Sequence, residues 1–268
     1  MPGSNWHIYS FDPEGTVNEL YYGIEQIGWN GHSKPLPMYD PRFIGEVPEL
    51  PQASEFEEVE DALAEGVDLT SGYRKEPTGE PRYDVGGVLL RRPFKAIKIG
   101  PVRLFTDDVD ADLAYYRDRL GLMVTEEVEW RGHRCAFLRV NTEHHSLALY
   151  PSALHDDLGS SPHTRCLSFG LQLAEYGQLR DAIAFLESNG VTVKYLPPEL
   201  FPGVGYTAFA IDPDGHAIQL YDYMEQVGWD GRPRPADQRP AIDNDAWPEI
   251  IDSRPDGFMG EAYLGPWG

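Results

Sequence analysis

Cysteine is nearly absent: Cys135 and Cys166 are the only two in 268 residues. Two isolated thiols do not make a disulfide framework, which points to a reducing compartment. Basic residues are scarce as well, 22 Lys and Arg against 44 Asp and Glu, for a formal net charge of -22. Such a surface repels phosphate backbones and anionic headgroups, so neither a nucleic acid nor a membrane is expected as partner. Long apolar runs are missing too, and no stretch approaches a membrane span. The opening MPGSNWHIYSF has neither a basic start nor an apolar segment, so no secretion signal is read there and a cytoplasmic location is expected. What remains is 41% hydrophobic and 12% aromatic, enough for a sizeable core.

The most informative feature is an internal repeat. FDPEGTVNELYYGIEQIGWNGHSKP from Phe11 and IDPDGHAIQLYDYMEQVGWDGRPRP from Ile211 align without a gap. Asp12, Pro13, Gly15 and Leu20 match Asp212, Pro213, Gly215 and Leu220, and the match continues through Trp29 and Pro35. Asp-Pro-Glu/Asp-Gly is a tight turn, in which Pro presets φ and Gly tolerates a positive one. The flanking TAFAI and HAIQLYDY are strand-like, so each copy is a β-hairpin followed by a Gly-Trp loop. Glu19 in the first copy is replaced by Gln219 in the second. Asp12, Asp212 and Asp214 are read as turn formers.

Between Ala96 and Tyr223 the pattern runs strand, helix, strands, twice over. IKIGPVRLF is strand-like, and DADLAYYRDRLGL is helical, with Leu113, Tyr116 and Leu120 on one face, Asp110 as cap and Gly121 as stop. VTEEVEW, RCAFLRV and HSLALYP follow as strands. CLSFGLQL opens the second set, and YGQLRDAIAFLESNGV is its helix, with Leu179, Ile183 and Leu186 apolar and Gly190 the stop. YTAFAI and AIQLYDY close it. The expected class is α+β, two βαβββ units side by side. Residues 36–93 read as a linker with one short helix in ASEFEEVEDALAEGV and a loop-like connector, SGYRKEPTGEPRYDVGG. In the tail, 236–268, Trp247 and Trp267 are expected to pack on this chain or a partner.

RLFTDDVDADLAYYRDRLGL, NTEHHSLALYP and IDPDGHAIQLYDY resemble the vicinal-oxygen-chelate superfamily of glyoxalases, bleomycin-resistance proteins and extradiol dioxygenases, and the dioxygenase branch above the others. The resemblance implies one complete domain of paired βαβββ modules at 94–235, and at 1–35 the terminal hairpin and loop of a second, incomplete domain. In dioxygenases of this kind it implies Fe(II) or Mn(II) held by two histidines and one carboxylate, acting on catechol-type aromatics. Carried over residue by residue, those positions fall at Pro101, Ser168 and Gln219, none of them a usual ligand. Iron or manganese is then expected only if the protein is active at some other set of ligands, and no metal otherwise.

Other parts of the pattern persist. His145, in NTEHHSLALYP, matches the acid/base histidine beside bound oxygen; the alternative is a histidine hydrogen-bonded within the sheet. The tyrosine preceding the carboxylate falls at Phe209 in the complete domain and at Tyr9 in the hairpin, which also keeps Glu19. The candidate catalytic residues are therefore His145, Tyr9 and Tyr206, the candidate substrate contacts Ser168, Gln219 and His144, and the candidate metal ligand Glu19. His7 and His32 read as surface residues, His155 and His163 as exposed, and Cys166 as a buried apolar residue. Three functions follow: a dioxygenase-like protein acting on catechols, a metal-free binder of a small aromatic or oxygenated ligand in a neutral pocket, or a supporting subunit. A homo-oligomer, or a partner subunit completing the N-terminal domain, is expected because a hairpin edge demands pairing. In two-domain relatives the inert domain comes first; here the order is reversed.

Overall fold

The computed structural model describes residues 4–24, 32–38, 54–74, 79–228, 231–253 and 257. The chain divides into two compact units, one of residues 1–10 and 17–79 and one of residues 11–16 and 80–268.

The first unit holds strands β1 (Ser4–Phe11) and β2 (Val17–Ile24), paired as a two-stranded sheet. It also holds α1 (Glu55–Ala64), the helix expected in ASEFEEVEDALAEGV. Ser54 and Glu57 form a reciprocal capping box, which satisfies two backbone donors that a helix start leaves open. Lys34 pairs with Glu58 on this helix at 2.5 Å, and His32 Nδ1 lies 3.0 Å from the Gly72 carbonyl. His32 is half-buried and has a backbone partner.

In the second unit the segment read as a connector contains a small hairpin, β3 (Tyr83–Val85) and β4 (Val88–Leu90). The Gly86–Gly87 turn, closed by the Gly87 amide on Asp84 at 2.8 Å, lets so short a segment fold back on itself. The main sheet is built from β5 (Ala96–Thr106), β6 (Met123–Trp130), β7 (His133–Arg139), β8 (Leu147–Pro151), β9 (Cys166–Leu173), β10 (Val193–Lys194), β11 (Thr207–Ile211) and β12 (Ala217–Tyr221). Helix α2 (Val109–Ala114) follows β5, and α3 (Tyr176–Ser188) follows β9.

The spatial order β10-β11-β12-β9-β5-β8-β7-β6 shows two βαβββ modules joined at β5 and β9. In each module the first strand runs parallel to the last, β5 to β8 and β9 to β12, while the seam is antiparallel. Arg103 on β5 stands opposite Ser168 on β9 at that seam. This is the paired α+β architecture expected from the strand–helix pattern.

Helix α2 begins two residues earlier than the sequence suggested. Its cap is Asp108, which accepts from the Ala111 amide at 3.0 Å, rather than Asp110. A second carboxylate, Glu14, accepts from Thr106 Oγ1 at 2.7 Å and from the Asp108 amide at 3.0 Å. The helix continues as a π-turn over Tyr115–Arg119, and Gly121 stops it with φ of 81°. Helix α3 buries Leu179 and Ile183 as its spacing predicts, and Leu186 packs at the edge of the same cluster.

Apolar side chains gather in three clusters. One lies beneath α2 around Leu113 and Leu138, and one beneath α3 around Leu179 and Leu220. The third fills the other face of the sheet with Phe105, Phe137, Tyr150, Phe201 and Phe209. Trp247 joins the α3 cluster, against Tyr176, Tyr195 and Tyr206, so this part of the tail packs on its own chain. Trp267 lies outside the described residues. Among the described residues no helix is long and apolar enough to cross a membrane.

Candidate functional site

The two hairpin copies close with the same turn. Asp12 accepts from the amides of Glu14 and Thr16 at 3.1 and 2.7 Å, and Asp212 from those of Asp214 and His216 at 2.9 and 2.8 Å. Gly15 and Gly215 have φ of 88° and 89°, a region open to glycine at little cost. Equal turns give equal register, so equivalent residues occupy equivalent places. In the second copy Phe209 pairs with Gln219 across the strands. In the first unit the Tyr9 hydroxyl donates to Glu19 Oε1 at 3.5 Å, and both residues are exposed. Partial desolvation and the Glu19 charge raise the pKa of Tyr9 above its ordinary value.

In the complete domain, strand alternation puts Pro101, Arg103 and Phe105 on one face of β5. The register sets Arg103 beside Ser168, and its side chain reaches Gln219 on β12. Arg103 Nη1 donates to Gln219 Oε1 at 2.5 Å, and Nη2 meets His145 Nε2 at 3.1 Å. The guanidinium is fully buried, with its carbon 5.0 Å from the centre of the Phe201 ring. Tyr150, fully buried beside it, donates to the Leu200 carbonyl at 2.6 Å and so holds the 198–201 turn over the site.

A chain of hydrogen bonds leads away from the arginine. His145 Nδ1 is 3.0 Å from His144 Nδ1, and His144 Nε2 is 3.0 Å from Glu126 Oε2. Arginine can only donate, so His145 accepts at Nε2, carries its proton on Nδ1 and donates to His144. His144 then carries its proton on Nε2 and donates to Glu126. Both rings are neutral in this arrangement. Their pKa values agree: burial lowers both, and the Arg103 charge pushes His145 further down. Burial opposes the charge on Glu126, but His144 and a paired Arg239, at 3.0 and 2.5 Å, outweigh it and hold its carboxyl below the usual range. The line Arg103–His145–His144–Glu126–Arg239 joins a buried cation to a carboxylate near the surface.

Ser168, Gln219, His144 and His145 are thus brought together in the interior, with one correction. The surroundings expected to be neutral are not, because the Arg103 guanidinium stands among these residues. Tyr206 is not among them, and packs instead against Tyr176 and Trp247 under α3. Two further expectations are reversed. His155 is buried, stacked on Phe105 at 3.8 Å, with its ring nitrogens on the Ser152 and Thr164 carbonyls. Cys166 is exposed, whereas Cys135 is buried and its thiol is pushed up to about 12 by that burial.

The donor set does not fit a divalent cation. Pro101 offers no side-chain donor, and the Gln219 oxygen already accepts from a guanidinium. A metal ion there would face a fixed positive charge in a medium that screens it poorly. Among the described residues no group of three His, Cys, Asp or Glu could hold a metal.

Two cavities flank this layer. One, of about 340 Å³, opens between β9 and β11 and is lined by Cys166, Phe209, Lys194 and His163. The other, of about 430 Å³, lies between Phe201, Glu126 and Arg239 and reaches Ile242 in the tail.

The chain resembles homoprotocatechuate 2,3-dioxygenase of Brevibacterium fuscum, solved with 3,4-dihydroxyphenylacetate, at 20% identity and TM-score 0.42, over 50% of this chain and 39% of that one. The enzyme of the same name from Arthrobacter globiformis matches at 22% identity and TM-score 0.41, over 50% and 38%. The 2,2',3-trihydroxybiphenyl 1,2-dioxygenase of Sphingomonas wittichii strain RW1 matches at 23% and 0.40, over 48% and 43%. The match thus spans less than half the length of each of these proteins. No curated protein matches the chain. Residues 98–220 match the family described as Glyoxalase/Bleomycin resistance protein/Dioxygenase superfamily, the span occupied by the two βαβββ modules. The match covers that segment alone, less than half of the chain, and makes it similar to this superfamily.

Proposed function

We propose that the domain at 94–235 works without a metal, as the non-catalytic member of a dioxygenase-related protein that handles small oxygenated aromatics. One observation carries this reading: the Arg103 guanidinium is hydrogen-bonded to Gln219 and His145 where metal chemistry would need open ligands. His145, with Nε2 engaged by Arg103 and burial favouring its neutral form, serves as a link in a fixed network. It has no free nitrogen with which to exchange a proton with substrate. Titrating the full chain anaerobically with Fe(II) and Mn(II), then adding catechol and dioxygen, tests the proposal. The expected result is no stoichiometric metal uptake and no ring-cleavage product; uptake of one metal per chain with catechol turnover would overturn it.

A second reading concerns the hairpin and is favoured by the Tyr9–Glu19 contact. The same positions in the complete domain carry Phe209 and Gln219, so the tyrosine–carboxylate pair belongs to the first copy alone. Ring-cleavage chemistry, with Fe(II) or Mn(II), would then reside in a module ending in this hairpin, its two histidines coming from a partner subunit or a second copy. Glu19→Gln should abolish activity of such an assembly while leaving the stability of the 94–235 domain unchanged.

A further inference from the structure

A fully buried guanidinium needs a counter-charge. Removing an ion from water costs several kcal/mol even after relaxation, and buried charges are normally paired. Arg103 has no carboxylate partner among the described residues: the groups it engages are the Gln219 amide, the neutral ring of His145, and the Phe201 and Tyr150 aromatics. Three buried polar atoms on these neighbouring residues also lack hydrogen-bond partners among the described residues, namely Arg103 Nε, Ser168 Oγ and Gln219 Nε2. Each belongs to a residue no more than 1% exposed. Orphaned buried groups in a well-packed fold call for a specific cause, such as a bound ion or water. Here all three can donate, the guanidinium and amide can only donate at those atoms, and their surroundings are positive.

We propose that Arg103, Ser168 and Gln219 form a binding site for one small monovalent anion, halide or carboxylate. The anion accepts from Arg103 Nε, Gln219 Nε2 and the Ser168 hydroxyl. It neutralises the guanidinium and satisfies the three orphans together. The chain supplies the cation, and the ligand supplies the negative partner. A halide and a carboxylate as small as formate would use the same donors. This inference rests on the metal-free reading of the domain.

The test uses the full chain exchanged into sodium sulfate, then titrated with sodium bromide or sodium formate at constant ionic strength. Ligand binding to the folded state raises the thermal midpoint in proportion to the logarithm of ligand concentration above Kd. A midpoint that is flat below Kd and then rises logarithmically with bromide or formate, with the sulfate control flat, is expected. Bromide alone active identifies a halide site; formate active as well identifies a carboxylate site. Ser168→Ala, which removes one hydroxyl from a folded core, should weaken apparent binding about five-fold. Arg103→Met should abolish it, and if that variant fails to fold, Gln219→Leu replaces it with the same expectation. Crystals grown with bromide should show an anomalous peak within hydrogen-bonding distance of Arg103 Nε. An identical response in wild type and Ser168→Ala, or a water at that position in place of bromide, overturns the proposal. Metal content measured on the same sample separates the two claims, since metal-free protein without an anion response defeats only this inference.

Discussion

His144 and His145 sit side by side in the interior, and burial favours the neutral form of each, with Arg103 adding its charge against His145. In the unfolded chain both return to about 6.5. Below that pH the unfolded state binds more protons than the folded one, so stability falls as pH falls through and below about 6.5. Glu126, held low by His144 and Arg239, adds a loss in the same direction at more acid pH. His145→Asn should flatten the slope of unfolding free energy between about pH 6.5 and 5; chemical denaturation at several pH values measures it, and an unchanged slope would contradict the neutral relay. Asp112 works in the opposite sense. It is buried, its oxygens find no partner among the described residues, and burial, with Asp12 and Asp108 nearby, raises its pKa to about 6. Thr106 beside it gives its hydroxyl proton to Glu14 instead. The folded state therefore holds the extra proton between 3.8 and about 6, and stability from this group declines as pH rises through that window. Asp112→Asn should stabilise the protein at pH 7 by about 1–3 kcal/mol, and a loss of stability would show that the carboxylate has a partner.

At the scale of elements, the network depends on segments that bring distant residues into register. The His144 amide donates to the Glu225 carbonyl at 2.8 Å, and the Glu225 amide to the Gly203 carbonyl at 2.7 Å. Gly203 has φ of +73°, and a Cβ there would lie 2.3 Å from His144 Cγ. Gly203→Ala is expected to cost at least about 3 kcal/mol and to displace His144 from Glu126, since strain and overpacking act together. Thermal unfolding checks it, and an unshifted midpoint would refute the close approach. At the start of α2, Glu14 accepts amide and hydroxyl protons in addition to the Asp108 cap. Glu14→Ala should destabilise by about 1 kcal/mol, as loss of a cap does; equal unfolding midpoints in urea would contradict that role.

Much of this level was legible in the sequence because it depends on local rules. The repeated Asp-Pro-x-Gly turns and the apolar faces of α2 and α3 follow from neighbours in the chain. Arg103 was passed over, although a signal existed: it shares a strand face with Pro101 and Phe105, so alternation alone points it inward. Glu126, Phe201 and Arg239 were not readable, because they meet the site only through tertiary contacts spanning tens of residues. The β3–β4 hairpin was missed because Pro, Gly and charges dominate its surroundings. His155 was misplaced for a related reason: a loop of Gly, Ser and Pro reads as solvated even when its histidine stacks on Phe105.

Across the whole molecule, the tail contributes to the second unit through Trp247, which packs on three tyrosines. Trp247→Ala should lower stability by about 2 kcal/mol, less than for a wholly buried tryptophan. The superfamily architecture is retained over residues 98–220, while the charge at the heart of the modules comes from an arginine. Fold and chemistry are separable, and the cleft's function follows from the side chains placed in it. Elemental mass spectrometry on full chain purified anaerobically from iron- and manganese-supplemented cells tests this most directly. The account predicts far less than one iron or manganese per chain; a value near one would show that a metal, and not Arg103, is the cation of this site.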